Sequence, residues 1–184
     1  MNDDVQDDGE LIWLPNLSEE RAQLNAVGSV NRRGKFEILA ITAGEGNGWQ
    51  FTESALQDSL PLWDGISVFV DHGEYTGSRS VKDLGGTCRA PRWDGESQGV
   101  LVDLQTAGPS GPLIDELGRE WLASEDRPPV GFSADVIFKA NGKKVEKILR
   151  VLDLSLVFNP ARGGAFKRAL NSLGMYKKHD TPLI

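Results

Sequence analysis

The stretch that decides the fold is Val130–Phe138, VGFSADVIF, followed by Asn141-Gly142 and then Lys144–Phe158, KVEKILRVLDLSLVF. In an extended chain, Val130, Phe132, Ala134, Val136 and Phe138 fall on one side and Gly131, Ser133 and Asp135 on the other. That alternation is the signature of a half-buried strand. Asn-Gly between two such runs predicts a tight hairpin. The second run therefore returns as a long strand or strand pair, ended by Pro160.

On the N-terminal side, Lys35–Ala43 (KFEILAITA) is a short apolar run between turn residues and predicts a buried strand. Thr52–Leu60 suits a short helix with Thr52 as its N-cap and Glu53 in the first turn, where the helix dipole favours an anion. Ile66–His72 (ISVFVDH) alternates as a strand with Ile66, Val68, Val70 and His72 on one face. Gly73–Gly86 reads as a surface loop rich in Gly, Ser and Thr, and Gly99–Thr106 as a further strand. Ser110–Ala123 changes period: Leu113, Ile114, Leu117, Trp121 and Leu122 form one apolar helical stripe behind a capping Ser110. A last helix is expected from about Ala165 to Leu173, stopped by Gly174. Many short strands, few helices and frequent Gly/Pro turns predict a mainly β protein, an antiparallel barrel or β-rich α+β domain.

The chain has 184 residues, and a length of this order suits a single domain with one core. The expected organisation is an acidic tail over 1–10, one domain over 11–173 and a polar tail over 174–184. The net charge of −7 resides largely in Asp3, Asp4, Asp7, Asp8 and Glu10; the remainder carries 20 basic against 22 acidic residues. A near-neutral domain lacks the basic patch of a nucleic-acid reader. One cysteine, Cys88, and two histidines, His72 and His179, provide neither zinc-site spacing nor a disulfide framework, so no metal or cofactor is expected. No apolar run reaches membrane-spanning length, and the N-terminus is the opposite of a basic signal segment, which predicts a soluble protein in a reducing compartment.

Three residues break their local patterns. Asp153 interrupts the row Leu149, Val151, Ser155, Val157, and a buried carboxylate needs a partner. Lys147, Arg150 or Arg162 would serve as a structural ion pair. His72 would serve too: an imidazole donating from Nδ1 to a carboxylate is fixed in one tautomer and presents Nε2 as a base. Ser133 then supplies a hydroxyl that such a base can activate, with Gly131 leaving room for a substrate backbone. The G-x-S-x-G elbow of α/β-hydrolases is absent, which argues against an esterase of that fold.

FTESALQDSLPLWDGISVFVDH, VGFSADV and VLDLSLVFNPA, in this order, resemble the three motif blocks of the tailed-bacteriophage prohead (capsid maturation) serine proteases, relatives in fold of the herpesvirus assemblins. The likeness runs from about Gly34 to Arg168. It implies a small antiparallel β-barrel surrounded by helices, with His72 as general base and Ser133 as nucleophile. Asp153 falls where assemblins have a second histidine and phage members commonly have an acid. Arg162 falls near the arginine pair that helps stabilise the oxyanion in assemblins, though only one arginine stands here. The resemblance further implies an endopeptidase that cleaves itself and the N-terminal segments of scaffold or major capsid protein. Its setting would be the interior of the immature capsid in the host cytoplasm, with a homodimer among the assemblies it admits. The alternative is a non-catalytic scaffold component of the prohead interior with the same fold.

Overall fold

A computed structural model of the chain describes residues 34–73 and 78–170. The expected tails over 1–10 and 174–184, His179 and the weak pattern of residues 11–31 lie outside the described residues. The strands are β1 (Lys35–Thr42), β2 (Gly44–Gly46), β3 (Trp49–Phe51), β4 (Ser67–Val70), β5 (Leu84–Asp94), β6 (Gly99–Thr106), β7 (Val130–Asn141), β8 (Lys144–Phe158) and β9 (Ala165–Leu170). They form one mainly β sheet, ordered β2-β3-β8-β4-β5-β6-β1-β9, with β7 paired to β8. The sheet curls into a half-barrel. Pairing is antiparallel except where β3 and β4 run parallel to β8.

The barrel is not surrounded by helices: the described residues include two α-helices, α1 (Glu53–Asp58) and α2 (Gly111–Ala123). Thr52 caps α1 by accepting from the Ala55 N–H at 3.2 Å, and its hydroxyl donates to the Val145 carbonyl at 3.2 Å, which seats the helix on β8. Helix α2 lies against the sheet through Ile114, for which Gly85 leaves space: a Cβ there would be 2.2 Å from Ile114 Cδ1. The expected stripe faces the core through Ile114, Leu117, Trp121 and Leu122, but Leu113 is exposed and Asp115 is buried in its place. Asp115 is matched one turn on by Arg119. Ser110 makes no side-chain cap; its hydroxyl donates instead to the Lys82 carbonyl at 2.8 Å.

The helix expected over Ala165–Leu173 is a strand where it is described. Ala165–Leu170 pairs with β1 from Leu39↔Ala165 to Lys35↔Leu170. AFKRAL is short enough to fit either period, and the unpaired edge of β1 decides between them, because the extended form satisfies backbone groups of both segments. Phe166 enters the core against Phe36 and Phe132, at ring separations of 5.3 and 4.9 Å, while Arg168 meets Glu37 on the outside. Strand β5 replaces the end of the expected loop and continues to Asp94. Its Gly85-Gly86 start and the Ala90-Pro91 bulge, where Ala90 has φ +52°, hid it from periodicity.

The hairpin from β7 to β8 turns at Gly142, φ +60°, as expected. Strand β8 runs unbroken over Lys144–Phe158 but carries three extra residues, Glu146, Leu149 and Leu152, each skipped in the register with β7. Such bulges increase local twist and move side chains between faces. Leu149 and Leu152 are therefore half exposed while Ile148, Leu154 and Leu156 remain in the core. None of the described helices is long and apolar enough to cross a membrane.

Candidate functional site

The face of the β4-β8-β7 region opposite the core carries the polar residues that the sequence singles out. Phe132, Ala134, Leu154, Leu156 and Val68 pack inward. Between them, Ser133 pairs with Ser155, Asp135 with Asp153, and Phe69 with Ser155, so these five share the other face. Asp153 and Ser155 are nevertheless buried. The cause is Arg79.

Arg79 lies across this face. Its Nε donates to Asp153 Oδ2 at 3.0 Å and its Nη2 to Asp153 Oδ1, so the carboxylate is held at two points. Nη2 also reaches Ser155 Oγ at 2.6 Å and Asp135 Oδ2 at 3.4 Å, and Nη1 donates to the Asp71 carbonyl at 2.7 Å. The guanidinium stacks over the Phe69 ring at 4.7 Å. The hydrogen bond to Asp153 holds the Arg79 guanidinium above its ordinary pKa against the opposing effect of burial. The partner of Asp153 is thus neither His72 nor Lys147, Arg150 or Arg162. Arg150 pairs with Ile137, beyond the Leu152 bulge, and is exposed.

His72 stands just beyond β4, which stops at Val70 because Asp71 takes the left-handed conformation at φ +58°. The Asp71 N–H still donates to the Leu156 carbonyl at 2.9 Å, so the turn is anchored on β8. The imidazole leaves the expected apolar row and lies 3.6 Å from Asp135, Nδ1 to Oδ2, with both side chains partly exposed. That separation is an ion-pair distance longer than a hydrogen bond. Asp135, two residues from Ser133 and on its face, is therefore the carboxylate beside His72.

Ser133 also borders a cleft of about 170 Å³ between β7 and the β2-β3 hairpin. Its aromatic wall is Trp49, Phe51 and Phe138, packed edge to face at 5.0 and 5.5 Å. Arg162 lines the same cleft. Its Nη1 and Nη2 donate to the carbonyls of Gly44 and Thr42, its guanidinium lies 5.0 Å from the Phe51 ring centre, and its buried Nε has no hydrogen-bond partner. No ion pair to Arg162 occurs among the described residues, and burial pushes its pKa down. An arginine held by carbonyls rather than carboxylates retains its positive charge for another anion.

Glycines bring the Arg162 segment against β2 and β7. A Cβ at Gly46 would lie 2.1 Å from Arg162 Cδ, so β2 opens only for this side chain. A Cβ at Gly131 would lie 2.0 Å from the Gly164 carbonyl, and one at Gly164 equally close to the Phe132 carbonyl. The two backbones meet there, with the Phe132 N–H donating to Gly164 O at 3.1 Å. This bridge sets the segment against β7, and the Thr42 hydroxyl, donating to the Arg162 carbonyl at 3.2 Å, holds it on β1.

A serine on the same sheet face as an imidazole next to a carboxylate, and a cation in a cleft that the serine residue borders from the side of its inward neighbours Ala134 and Val136, are parts used in acyl-transfer chemistry, although no hydrogen bond joins Ser133 to His72 or Arg162 among the described residues. The groups missed from sequence are Asp135, legible as the acid sharing Ser133's face, and Arg79, the only arginine in a loop otherwise read as surface. No cluster of metal-ligating side chains occurs among the described residues. Compared with protein-family models, curated proteins and solved structures, the chain matches none.

Proposed function

We propose that this chain is a serine endopeptidase of the prohead-protease kind, with an assemblin-like barrel. The observation that carries the reading is that Ser133 lies on the same face of β7 as Asp135, the carboxylate that stands 3.6 Å from His72, while Arg162 lines a cleft along the same strand. In the proposed reaction Ser133 Oγ attacks a peptide carbonyl as His72 Nε2 takes its proton. His72 returns the proton to the leaving amine, and water then hydrolyses the acyl-enzyme. Asp135 compensates the imidazolium, Arg162 the developing oxyanion, and Asp153 acts through Arg79 rather than on His72 directly. The substrates are scaffold or major capsid protein segments and the chain itself, inside the prohead in the host cytoplasm, with homodimerisation compatible with this role.

A non-catalytic component of the prohead interior is the second reading. It is favoured by one observation: the Asp153 carboxylate is committed to Arg79, not to a histidine. The two readings are separated by exposing the full chain to a serine-reactive fluorophosphonate and, separately, to co-expressed capsid and scaffold proteins. The protease reading expects labelling at Ser133, cleaved products, and loss of both in Ser133→Ala. Absence of label and fragments in the wild type, or cleavage by Ser133→Ala at the wild-type rate, overturns it.

A further inference from the structure

The guanidinium of Arg79 is engaged in every direction, which is more than pairing one carboxylate requires. Asp135 and Asp153 stand directly opposite each other on β7 and β8, where like charges repel. Without a cation between them, one would protonate or turn away. Arg79 bridges them, and its contact with Ser155 and stacking on Phe69 fix the plane of the fork. Its remaining hydrogen bond goes to the carbonyl of Asp71, the residue before His72. One side chain thus grips both the backbone from which His72 projects and the carboxylate that His72 faces.

We propose that Arg79 is the positioning residue of this site, holding the Asp71 carbonyl and the Asp135 carboxylate so that His72 keeps Nδ1 toward Asp135 and Nε2 free. Asp153 and Ser155 are then the anchor of Arg79. A lysine cannot reproduce the arrangement, because a single ammonium lacks the planar fork needed to meet Asp153, Ser155, Asp135 and the Asp71 carbonyl together. The other charged neighbour acting on Arg79 is Asp83, at the end of the same loop.

The kinetic part of this inference rests on the protease reading; the spectroscopic part does not. The test uses the full 15N-labelled chain carrying His179→Gln, which leaves His72 as the sole histidine. Ring 15N shifts are recorded near pH 8.5, well above the ordinary imidazole range of about 6.5. The parent should show the Nδ1–H tautomer in clear excess. Arg79→Met should give mixed tautomers, and Arg79→Lys an intermediate ratio. In the kinetic arm, kcat should fall about 100-fold in Arg79→Met with KM within about twofold, as expected for lost orientation. A folded Arg79→Met with the parent tautomer ratio overturns the proposal, as does a parent ratio in Arg79→Lys should the methionine variant not fold. Tautomer mixing in a chain whose Ser133 takes no fluorophosphonate supports the positioning role and removes the protease reading alone.

Discussion

Replacing Gly164 with alanine tests the contact that sets the Arg162 segment against β7. The added Cβ would lie 2.0 Å from the Phe132 oxygen and 2.7 Å from its carbonyl carbon, both of them backbone atoms. Reaching ordinary contact requires the segment carrying Arg162 to retreat from β7 by about 1.4 Å. The 3.1 Å hydrogen bond from Phe132 N–H to Gly164 O is lost with that movement. Losing the bond costs about 1 kcal/mol. Strain from the enforced shift adds roughly 1–3 kcal/mol. A total of about 2–4 kcal/mol should lower Tm by roughly 5–15 °C in a domain of this size. The same displacement moves Arg162 away from Ser133, and a shift on this scale should slow fluorophosphonate labelling on the order of 100-fold. Unfolding is followed by tryptophan fluorescence and labelling by mass spectrometry. Gly95→Ala, where a Cβ meets nothing within 4 Å, is the control and should match wild type in both. A Gly164→Ala protein with Tm within about 1 °C of wild type would refute the close-approach argument. Lowered stability with unchanged labelling would detach Arg162 from the reaction.

Two further expectations concern the body of the sheet. Burial works against the charge of Glu37, but hydrogen bonds from Arg168 at 3.0 Å and from Arg92 outweigh it and hold its pKa below the usual carboxylate range. A depressed value stabilises the fold above the unfolded-state value near 4.5, and this contribution is lost as pH falls through the lower folded value. Glu37→Gln should therefore cost about 1–2 kcal/mol at pH 7 in urea unfolding, with the gap to wild type narrowing below about pH 4; a gap independent of pH sinks the assignment. Cys88 is fully buried, and burial pushes its thiol up to about 12. At pH 8 it should resist iodoacetamide in the folded protein and react only as the domain opens, so rapid alkylation without unfolding would contradict the burial of Cys88 in the core.

A short apolar run between turn residues was a good guide where the strand is buried along most of its length. Gly99–Thr106 matches β6 at both ends, and Lys35–Ala43 differs from β1 by one residue. It failed where tertiary pairing overrides a short pattern. Ala165–Leu170 became a strand because β1 had an edge to fill. Asp153 drew attention by its place in an apolar row, yet the Leu152 bulge leaves it on the polar face beside Asp135. The singular residue was informative although the geometry that singled it out does not exist.

Strand alternation and turn residues alone determined the class of the molecule, a mainly β chain, with His72 the one imidazole among the described residues. Residue pattern also marked Ser133 and Gly131, and the family resemblance marked Arg162. Only the tertiary structure decided which carboxylate His72 faces, because a left-handed turn at Asp71 carries the imidazole out of strand alternation and across β8. Likewise, only the folded sheet assigned Arg79 to Asp153. Their separation of 74 residues along the chain is closed by a loop and a parallel pairing, and no local period encodes such a distance.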